Sequence, residues 1–338
     1  WSGKFSELQK RKEKIEHKIK VLVEDHIEKD KEEDTEKGQP LASHEKQIKR
    51  LHEQADKIEK WLSENEKKIG SNGKELRSNI TDNDSTKMYT SHGTVQGYNS
   101  QAMVDSKHQV IVNGEALGRG PDNENLPPVV DGAKENLESI GKSPDYFEDK
   151  ILTADSSYHS IPNLNKCTEE KLDAYIPDNR FRNRDKRFAS RVSYRPRSKK
   201  FTFADYKYDR DKDQFICPNG KRLKRHIKPK LKNGKILRGY VSNENDCKCC
   251  QLRAKCVRYK DAKRRYLTYY ADASGENISY AMIKKIDSEK GRNIYPRRIA
   301  IVEPVFANIR TQKRMDKFNL RGKIKVNIQW LLYCMVHN

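Results

Sequence analysis

Apolar residues recur every seven positions in two long segments near the start of the chain, and this repeat constrains the local structure strongly. The recurring positions are Leu8, Ile15 and Leu22 within residues 4–29, and Leu41, Ile48, Ala55, Leu62 and Ile69 within residues 41–69. A sustained heptad repeat with charges at the other positions is typical of helices that pack as a coiled coil. The acidic link between them ends in Gly38-Gln39-Pro40, which stops one helix and starts the next. We predict an antiparallel, α-helical coiled-coil hairpin over residues 1–72.

The chain after Gly70–Gly73 alternates between strand-like and helix-like patterns. The pattern gives, in order, strands at 98–105 and 108–115, a helix at 126–140, a strand at 150–154, a helix at 159–171 and a strand at 172–176. Strands that alternate with helices indicate an α/β layer. Apolar helical segments at 298–314 and 323–336 follow a long basic stretch. The predicted domains are therefore a first core part at 76–177, a basic, Cys-containing insertion with little periodicity at 178–290, and C-terminal core helices at 291–338.

Positive charge is concentrated in one part of the chain. The sequence has 70 Lys+Arg against 49 Asp+Glu, a net charge of +21, yet residues 1–75 hold 18 of each sign. Residues 180–265 hold 30 Lys+Arg against 8 Asp+Glu, which accounts for the whole excess. Aromatic residues are interleaved with a run of cations, namely Arg180, Arg182, Arg184, Lys186, Arg187, Arg191, Arg195, Arg197, Lys199 and Lys200. A basic stripe of this density suits a phosphate backbone, so we predict nucleic-acid binding.

A membrane is the weaker alternative for the basic region. The mean hydropathy is −1.05 and no apolar run approaches 18 residues, which excludes a membrane-spanning helix from the sequence. No amphipathic helix accompanies the basic run, as an acidic membrane surface would require.

Five of the seven cysteines lie between Cys217 and Cys256. Cys247 and Cys250 are separated by two residues, which places two thiolates on one turn, and Cys256 and Cys217 would complete a tetrahedral structural zinc site. An iron–sulfur cluster and reduced cysteines in a small core stay open as alternatives. A local cluster of this kind differs from a secreted disulfide framework, and we predict a cytosolic protein.

Three carboxylates stand out by position. Asp105 and Asp155 each end a strand-like run, where open α/β sheets place their sites. Glu303 lies in an apolar helical run, where a buried carboxylate is costly unless it pairs or binds a metal ion. If the three meet in space, they can hold two hard cations across a scissile phosphate. For a single strand-terminal Asp, capping of a turn is the simpler explanation.

Seven stretches share one resemblance. They are "GYNSQAMVDSKHQVIV" (97–112), "ILTADSSYHSIPNL" (151–164), "DAYIPDNRFRNRDKRF" (173–188), "CPNGKRL" with "CKCCQLRAKC", "YPRRIAIVEPVFANIR" (295–310) and "FNLRGKIKVNIQWLLYCMVHN" at the end. Together they span most of residues 80–338. They resemble the bacterial insertion-sequence transposases of the DDE type, cut-and-paste enzymes with a ribonuclease H-like catalytic domain.

The resemblance implies an α/β fold with a ribonuclease H-like mixed sheet flanked by helices. It also implies that Asp105, Asp155 and Glu303 are the catalytic, metal-binding acids and that two Mg²⁺ or Mn²⁺ ions are the cofactors. Asp84, in "TDNDSTKM", is the rival for the first acid. Ser157 stands where the family is expected to have glycine.

The family also carries a Tyr–Arg–Glu–Lys pattern around its last acid. Tyr295 and Arg298 match its first two positions, and Arg310 takes the lysine position. By the resemblance, these residues contact the end of the DNA.

The implied activity is metal-dependent strand cleavage at the ends of an insertion sequence, followed by strand transfer into a target. A same-fold endonuclease without strand transfer and an inactive, transposase-derived DNA-binding protein are the alternatives. The expected partner is double-stranded DNA, bound by a homodimer, and the expected location is the bacterial cytoplasm with the nucleoid.

Overall fold

The computed structural model describes residues 2–32, 41–70, 73–90, 93–191, 200–232, 235–257, 259, 261–271 and 277–338. The chain divides into two compact units. The first unit consists of Trp1–Asn99, Ala116–Gly120 and Lys317–Gln329. The second consists of Ser100–Glu115, Pro121–Asp316 and Trp330–Asn338. Within the described ranges, no helix combines the length and the apolarity that crossing a membrane requires.

Two long helices dominate the first unit, α1 (Phe5–Glu32) and α2 (Leu41–Glu64). Phe5 packs against Trp61 at 6.1 Å between ring centroids, and Lys12 Nζ lies 2.7 Å from Glu59 Oε1. Both contacts join the start of α1 to the end of α2, so the helices are antiparallel, as the sequence predicts. Their shared apolar seam contains Leu8, Ile15, Ile19, Ala55, Ile58 and Trp61. Residues 33–40 of the predicted link lie outside the described residues, and a coiled-coil supercoil stays a prediction.

Short antiparallel strands complete the first unit. Strand β1 (Ser2–Gly3) pairs with β2 (Ser78–Asn79), and β3 (Thr86–Thr90) pairs with β4 (Gly93–Gly97). The single residue Tyr98 separates β4 from β5 (Asn99–Val104).

The α/β pattern predicted for residues 98–176 is present. Strand β5 forms a hairpin with β6 (Ile111–Leu117), and helix α3 (Leu126–Ser139) follows. Strand β7 (Ile151–Thr153), helix α4 (Ile161–Glu169) and strand β8 (Asp173–Tyr175) then form a β-α-β unit, because β7 and β8 are parallel. Helices α3 and α4 cover this unit through Leu126, Val130, Ile161, Leu164 and Cys167. Within the described residues these strands pair two by two, and the single ribonuclease H-like sheet stays a prediction.

The basic insertion is more regular than the sequence suggests. A short helix α5 (Phe181–Arg184) precedes five strands, which are β9 (Lys207–Asp209), β10 (Gln214–Ile216), β11 (Arg222–Lys232), β12 (Lys235–Ser242) and β13 (Tyr266–Ala271). They form one antiparallel sheet in the order β13-β12-β11-β10-β9. Its core consists of Tyr206, Phe215, Leu223, Tyr240, Leu267, Tyr269 and Ala271. The prediction of little periodicity in this region is therefore wrong for residues 207–271.

Two short helices, α6 (Glu244–Lys248) and α7 (Arg253–Cys256), lie between β12 and β13. The chain ends with α8 (Ile278–Asp287), α9 (Glu289–Ile294), α10 (Arg297–Ala307), a π-helical turn (Asn308–Gln312) and α11 (Lys323–His337). Gly291 permits the tight step from α8 to α9, because a Cβ there would lie 2.1 Å from the Lys285 carbonyl oxygen. This step directs the chain through Tyr295 into α10, which carries Arg298 and Glu303.

Candidate functional site

Asp155 follows strand β7 directly, at the strand end where the sequence places it. Its Oδ1 accepts hydrogen bonds from the Ser157 backbone N–H at 2.7 Å and from Ser157 Oγ at 2.5 Å. The residue has extended backbone angles and caps the short turn Ser156–Tyr158. Serine in place of the expected glycine causes no strain here, since Ser157 has no positive φ. The serine side chain instead fixes the orientation of the Asp155 carboxylate.

Asp122 is a second acid at this site, and the sequence analysis missed it. Its Oδ2 accepts a hydrogen bond from the same Ser157 Oγ at 2.7 Å, and its Oδ1 accepts one from Gln101 Nε2 at 3.1 Å. A hydroxyl group carries one proton, so Ser157 can donate fully to only one of the two carboxylates at a time. Two carboxylates that share one donor offer oxygen ligands to the same cation.

Arg298 provides the positive charge beside these acids. Burial raises the pKa of Tyr158, and the negative charges of Asp122 and Asp155 raise it further, whereas the charge of Arg298 lowers it. Burial also raises the pKa of Tyr295, which Arg298 again opposes. Among the described residues, Arg298 Nε is buried and has no hydrogen-bond partner. The charge of Arg298 therefore acts on both Tyr158 and Tyr295, and its Nε keeps donor capacity for an anion.

Aromatic rings and cations lie next to Tyr295. Its ring meets the edge of Phe181 at 5.3 Å between centroids, and Phe181 meets Phe188 at 6.0 Å. The guanidinium group of Arg182 lies over both phenylalanine rings, at 5.5 and 5.6 Å from their centroids. Arg191 covers Phe188 at 5.0 Å. Cations stacked on rings offer both charge and a flat surface, which suits nucleotides.

Asp105 caps the turn between β5 and β6. Its Oδ2 accepts hydrogen bonds from the backbone N–H groups of Lys107 at 3.0 Å and His108 at 2.7 Å. Gln109 Nε2 in the same turn donates to the Ala300 carbonyl oxygen at 3.1 Å, which fixes the turn against α10. The rival first acid, Asp84, belongs to the first unit, where its Oδ2 accepts from the backbone N–H of Lys323 at the start of α11.

Glu303 lies on the exposed face of α10. The expectation of a buried charge among core residues is therefore wrong, because the helix turns Val305 and not Glu303 inward. In the described part of the chain, no group of three His, Cys, Asp or Glu side chains has the spacing to hold a metal ion. The joint role of Asp105, Asp155 and Glu303 stays a prediction.

Most predicted DNA-binding cations are exposed. Arg180, Arg182, Lys186, Arg187 and Arg310 are exposed side chains. Lys200 Nζ donates to the Val257 carbonyl oxygen at 3.0 Å. Lys199, with Arg195 and Arg197, lies outside the described residues.

Arg184 differs from its neighbours because acids of its own chain surround it. Its Nε lies 2.6 Å from Asp287 Oδ2, and its NH2 lies 2.5 Å from Asp178 Oδ1. Burial acts to raise the pKa of Asp178, but the hydrogen bonds and charge of Arg184 outweigh burial and hold that pKa below its usual value. This arrangement favours a structural role for Arg184, which joins α5 to α8.

We expect Arg184→Met to lower the free energy of unfolding by about 2 kcal/mol at pH 7, because it leaves two half-buried carboxylates without their donor. A lowered carboxylate pKa contributes stability at neutral pH, and this contribution is lost as the pH falls through that pKa. The difference between wild type and variant should therefore shrink as the pH falls below about 4, through the lowered pKa of Asp178. Urea unfolding followed by circular dichroism measures both values. The exposed neighbour variant Arg180→Met is the control, and an equal loss in both variants would contradict the structural role.

The four cysteines of the predicted metal cluster surround one small cavity. Cys217, Cys247, Cys250 and Cys256 line it together with Ser242, Arg253 and Arg265. All four are free thiols. The structure thus brings together the four residues that the sequence groups, although not at metal-ligand distances.

Comparison with known proteins gives one match. Residues 216–338 match a family model described as "Transposase DDE domain". The matched segment covers somewhat more than a third of the chain and includes Tyr295, Arg298 and Glu303, whereas Asp105 and Asp155 precede it. The match confirms the resemblance to DDE-type transposases in this segment. A search of curated proteins found no match, and a search of solved structures found none.

Proposed function

We propose, from the transposase DDE domain match at residues 216–338, that this protein is a DNA transposase that cleaves DNA strands at the ends of a mobile element and joins them to a target. The observation that carries the proposal is this match, whose segment includes Arg298; the charges of Arg298 and of the strand-terminal Asp155 both act on Tyr295. A fixed carboxylate next to an arginine with unused donor capacity suits a phosphodiester and a divalent cation at one place.

The acids of this site fit Mg²⁺ or Mn²⁺ by their chemistry, since carboxylate oxygens are the ligands these ions prefer. Asp155 would hold the metal ions with Asp105 and Glu303, and Asp122 would provide a further oxygen ligand. When bound, divalent ions supply Lewis acidity at the scissile phosphate. Ser157 fixes the Asp155 carboxylate in one orientation, which lowers the cost of assembling the site.

The remaining residues would bind and orient DNA. Arg298 would donate to a phosphate oxygen, and Arg310 would contact the backbone farther along the same segment. Tyr295 and the rings beside it offer a surface for a sugar or base, with Arg182 supplying charge. The exposed cations Arg180, Lys186 and Arg187 would contact the DNA backbone, together with Lys200. Lys199, which lies outside the described residues, is assigned the same role from its sequence position alone. Two DNA ends must be paired in transposition, so we propose a homodimer on DNA, in the bacterial nucleoid.

The experiment is a cleavage and joining assay on DNA copied from both sides of the protein's own coding sequence. Labelled duplexes are incubated with the protein and Mg²⁺ or Mn²⁺, together with a target plasmid. We expect metal-dependent cuts at one position and covalent joining of the new 3′ end to the plasmid. Shuffled duplexes of equal length are the control.

The other outcomes identify the alternatives. Cleavage without joining would replace the proposal with a same-fold endonuclease. Binding without cleavage in either metal would replace it with a transposase-derived DNA-binding protein. Equal cutting of shuffled duplexes would contradict recognition of element ends.

A further inference from the structure

The segment between β12 and β13 has neither long helices nor a sizeable apolar core to keep it in one conformation. Helices α6 and α7 have five and four residues, and neither contains a buried residue. Helices this short are not stable by themselves in water. The only buried apolar side chain described in residues 243–265 is Val257. Something other than an apolar core must therefore hold this segment against the sheet.

The thiols of this segment lie where they can connect it to the sheet. Cys247 lies in α6, Cys250 follows it, and Cys256 ends α7, whereas Cys217 comes from the sheet, directly after β10. All four line one cavity of about 30 Å³, roughly the volume that a single water molecule or ion fills. The Cys217 turn is tight, since Gly220 has φ of 74° and its N–H donates to the Cys217 carbonyl oxygen at 2.8 Å.

Charges around the cavity suit a negatively charged centre. The cavity lining includes three cations, Lys221, Arg253 and Arg265, against one acid, Asp246. Arg253 also lines the cavity, and its NH1 and NH2 donate to the carbonyl oxygens of Cys247 at 3.0 Å and Ala262 at 2.9 Å.

Two simpler explanations fit less well. The cysteines form no disulfide, because all seven are free thiols. As core residues they would be fully buried, yet all four are only half-buried. Three of the four thiols instead lie near a polar group. Cys256 Sγ lies 3.2 Å from Tyr206 Oη, Cys247 Sγ lies 3.0 Å from Ser242 Oγ, and Cys250 Sγ lies 3.6 Å from Asn219 Nδ2.

We propose that Cys217, Cys247, Cys250 and Cys256 bind one structural Zn²⁺ ion that fastens the α6–α7 segment to the five-stranded sheet. Three of the thiols contact polar neighbours instead, and no group in the described chain has metal-ligand spacing. In this proposal, rotation about χ1 between staggered rotamers turns the sulfur atoms toward the cavity when the metal binds. On binding, each protonated thiol releases its proton to solvent and the four thiolates give a tetrahedral zinc centre, with Arg253 and Arg265 balancing its charge.

The test measures metal binding by the full chain without DNA or Mg²⁺, so its outcome is independent of cleavage activity. Reduced protein is stripped with a chelator and titrated with Zn²⁺ against a coloured competitor, and then with Co²⁺. We expect one Zn²⁺ per chain and the visible absorption of tetrahedral thiolate-bound Co²⁺. Replacing any of the four cysteines by serine should weaken Zn²⁺ binding by more than the 10–100-fold that loss of a supporting residue costs.

Cys249→Ser is the matched control, because Cys249 is exposed and lies next to Cys250. It should bind Zn²⁺ as wild type does. The wild-type titration keeps the test decisive even if a variant fails to fold. Absence of Zn²⁺ binding by wild type, iron–sulfur absorption in the purified protein, or equal loss in Cys249→Ser would each overturn the zinc site.

Discussion

Asp155→Asn should slow DNA-end cleavage in Mg²⁺ by at least about 1,000-fold, or about 4 kcal/mol of transition-state stabilisation. The asparagine oxygen can still accept the hydrogen bond that the Ser157 backbone N–H donates, so the turn after β7 keeps its shape. The substitution removes the negative charge, which a metal ligand at a scissile phosphate needs. Single-turnover cleavage of labelled duplexes gives the rate, and Mn²⁺ calorimetry in the presence of DNA should show weakened binding.

Asp145→Asn is the control for this change. Asp145 also caps a turn by accepting a hydrogen bond from a serine, Ser143, but it is exposed and lies outside the site. This variant should cleave at the wild-type rate. If Asp155→Asn keeps its cleavage rate within about tenfold of wild type while remaining folded, Asp155 does not bind the catalytic metal ions.

The elements that the sequence predicts well are those with a local signal. The seven-residue repeat through Leu8, Ile15 and Ala55 predicts the helical pair, because those residues form its seam. The β-α-β unit follows from short apolar runs around one amphipathic helix. The insertion sheet was missed because dense charge conceals its alternation. In Tyr266–Ala271, exposed and buried side chains do alternate, and Leu267, Tyr269 and Ala271 point inward.

The site was harder to predict, because its geometry depends on contacts between distant residues. Asp122 contacts Ser157, which is 35 residues away in the chain, and nothing in the sequence around Asp122 indicates that contact. Glu303 is surrounded in sequence by apolar residues, but the helical period places Val305 and Ile309 inward and leaves Glu303 exposed. Arg184 belongs to a run of cations, and only the tertiary structure reveals its two acidic partners. The sequence alone therefore identifies which residues carry useful chemical groups better than it identifies which residues those groups contact.

Arg298→Ala should reduce DNA-end cleavage by about 100-fold, because it removes donors aimed at a phosphate whose charge grows in the transition state. Arg298→Lys should recover only part of this loss, since an ammonium group cannot donate in the planar, two-pronged geometry of arginine. The alanine variant should also lower the slope of log affinity against log salt by about one, as expected for one lost phosphate contact. Fluorescence anisotropy at several salt concentrations measures that slope.

The adjacent variant Arg297→Ala separates local charge from position. Arg297 is exposed and precedes Arg298 in α10, so both variants remove one positive charge from the same turn. We expect Arg297→Ala to cleave within a few fold of wild type, because Arg297 is exposed, whereas the charge of Arg298 acts on Tyr158 and Tyr295. Equal losses in the two variants would show that only the net charge of α10 matters. A loss confined to Arg298→Ala would connect the matched transposase segment to the acid at the end of β7.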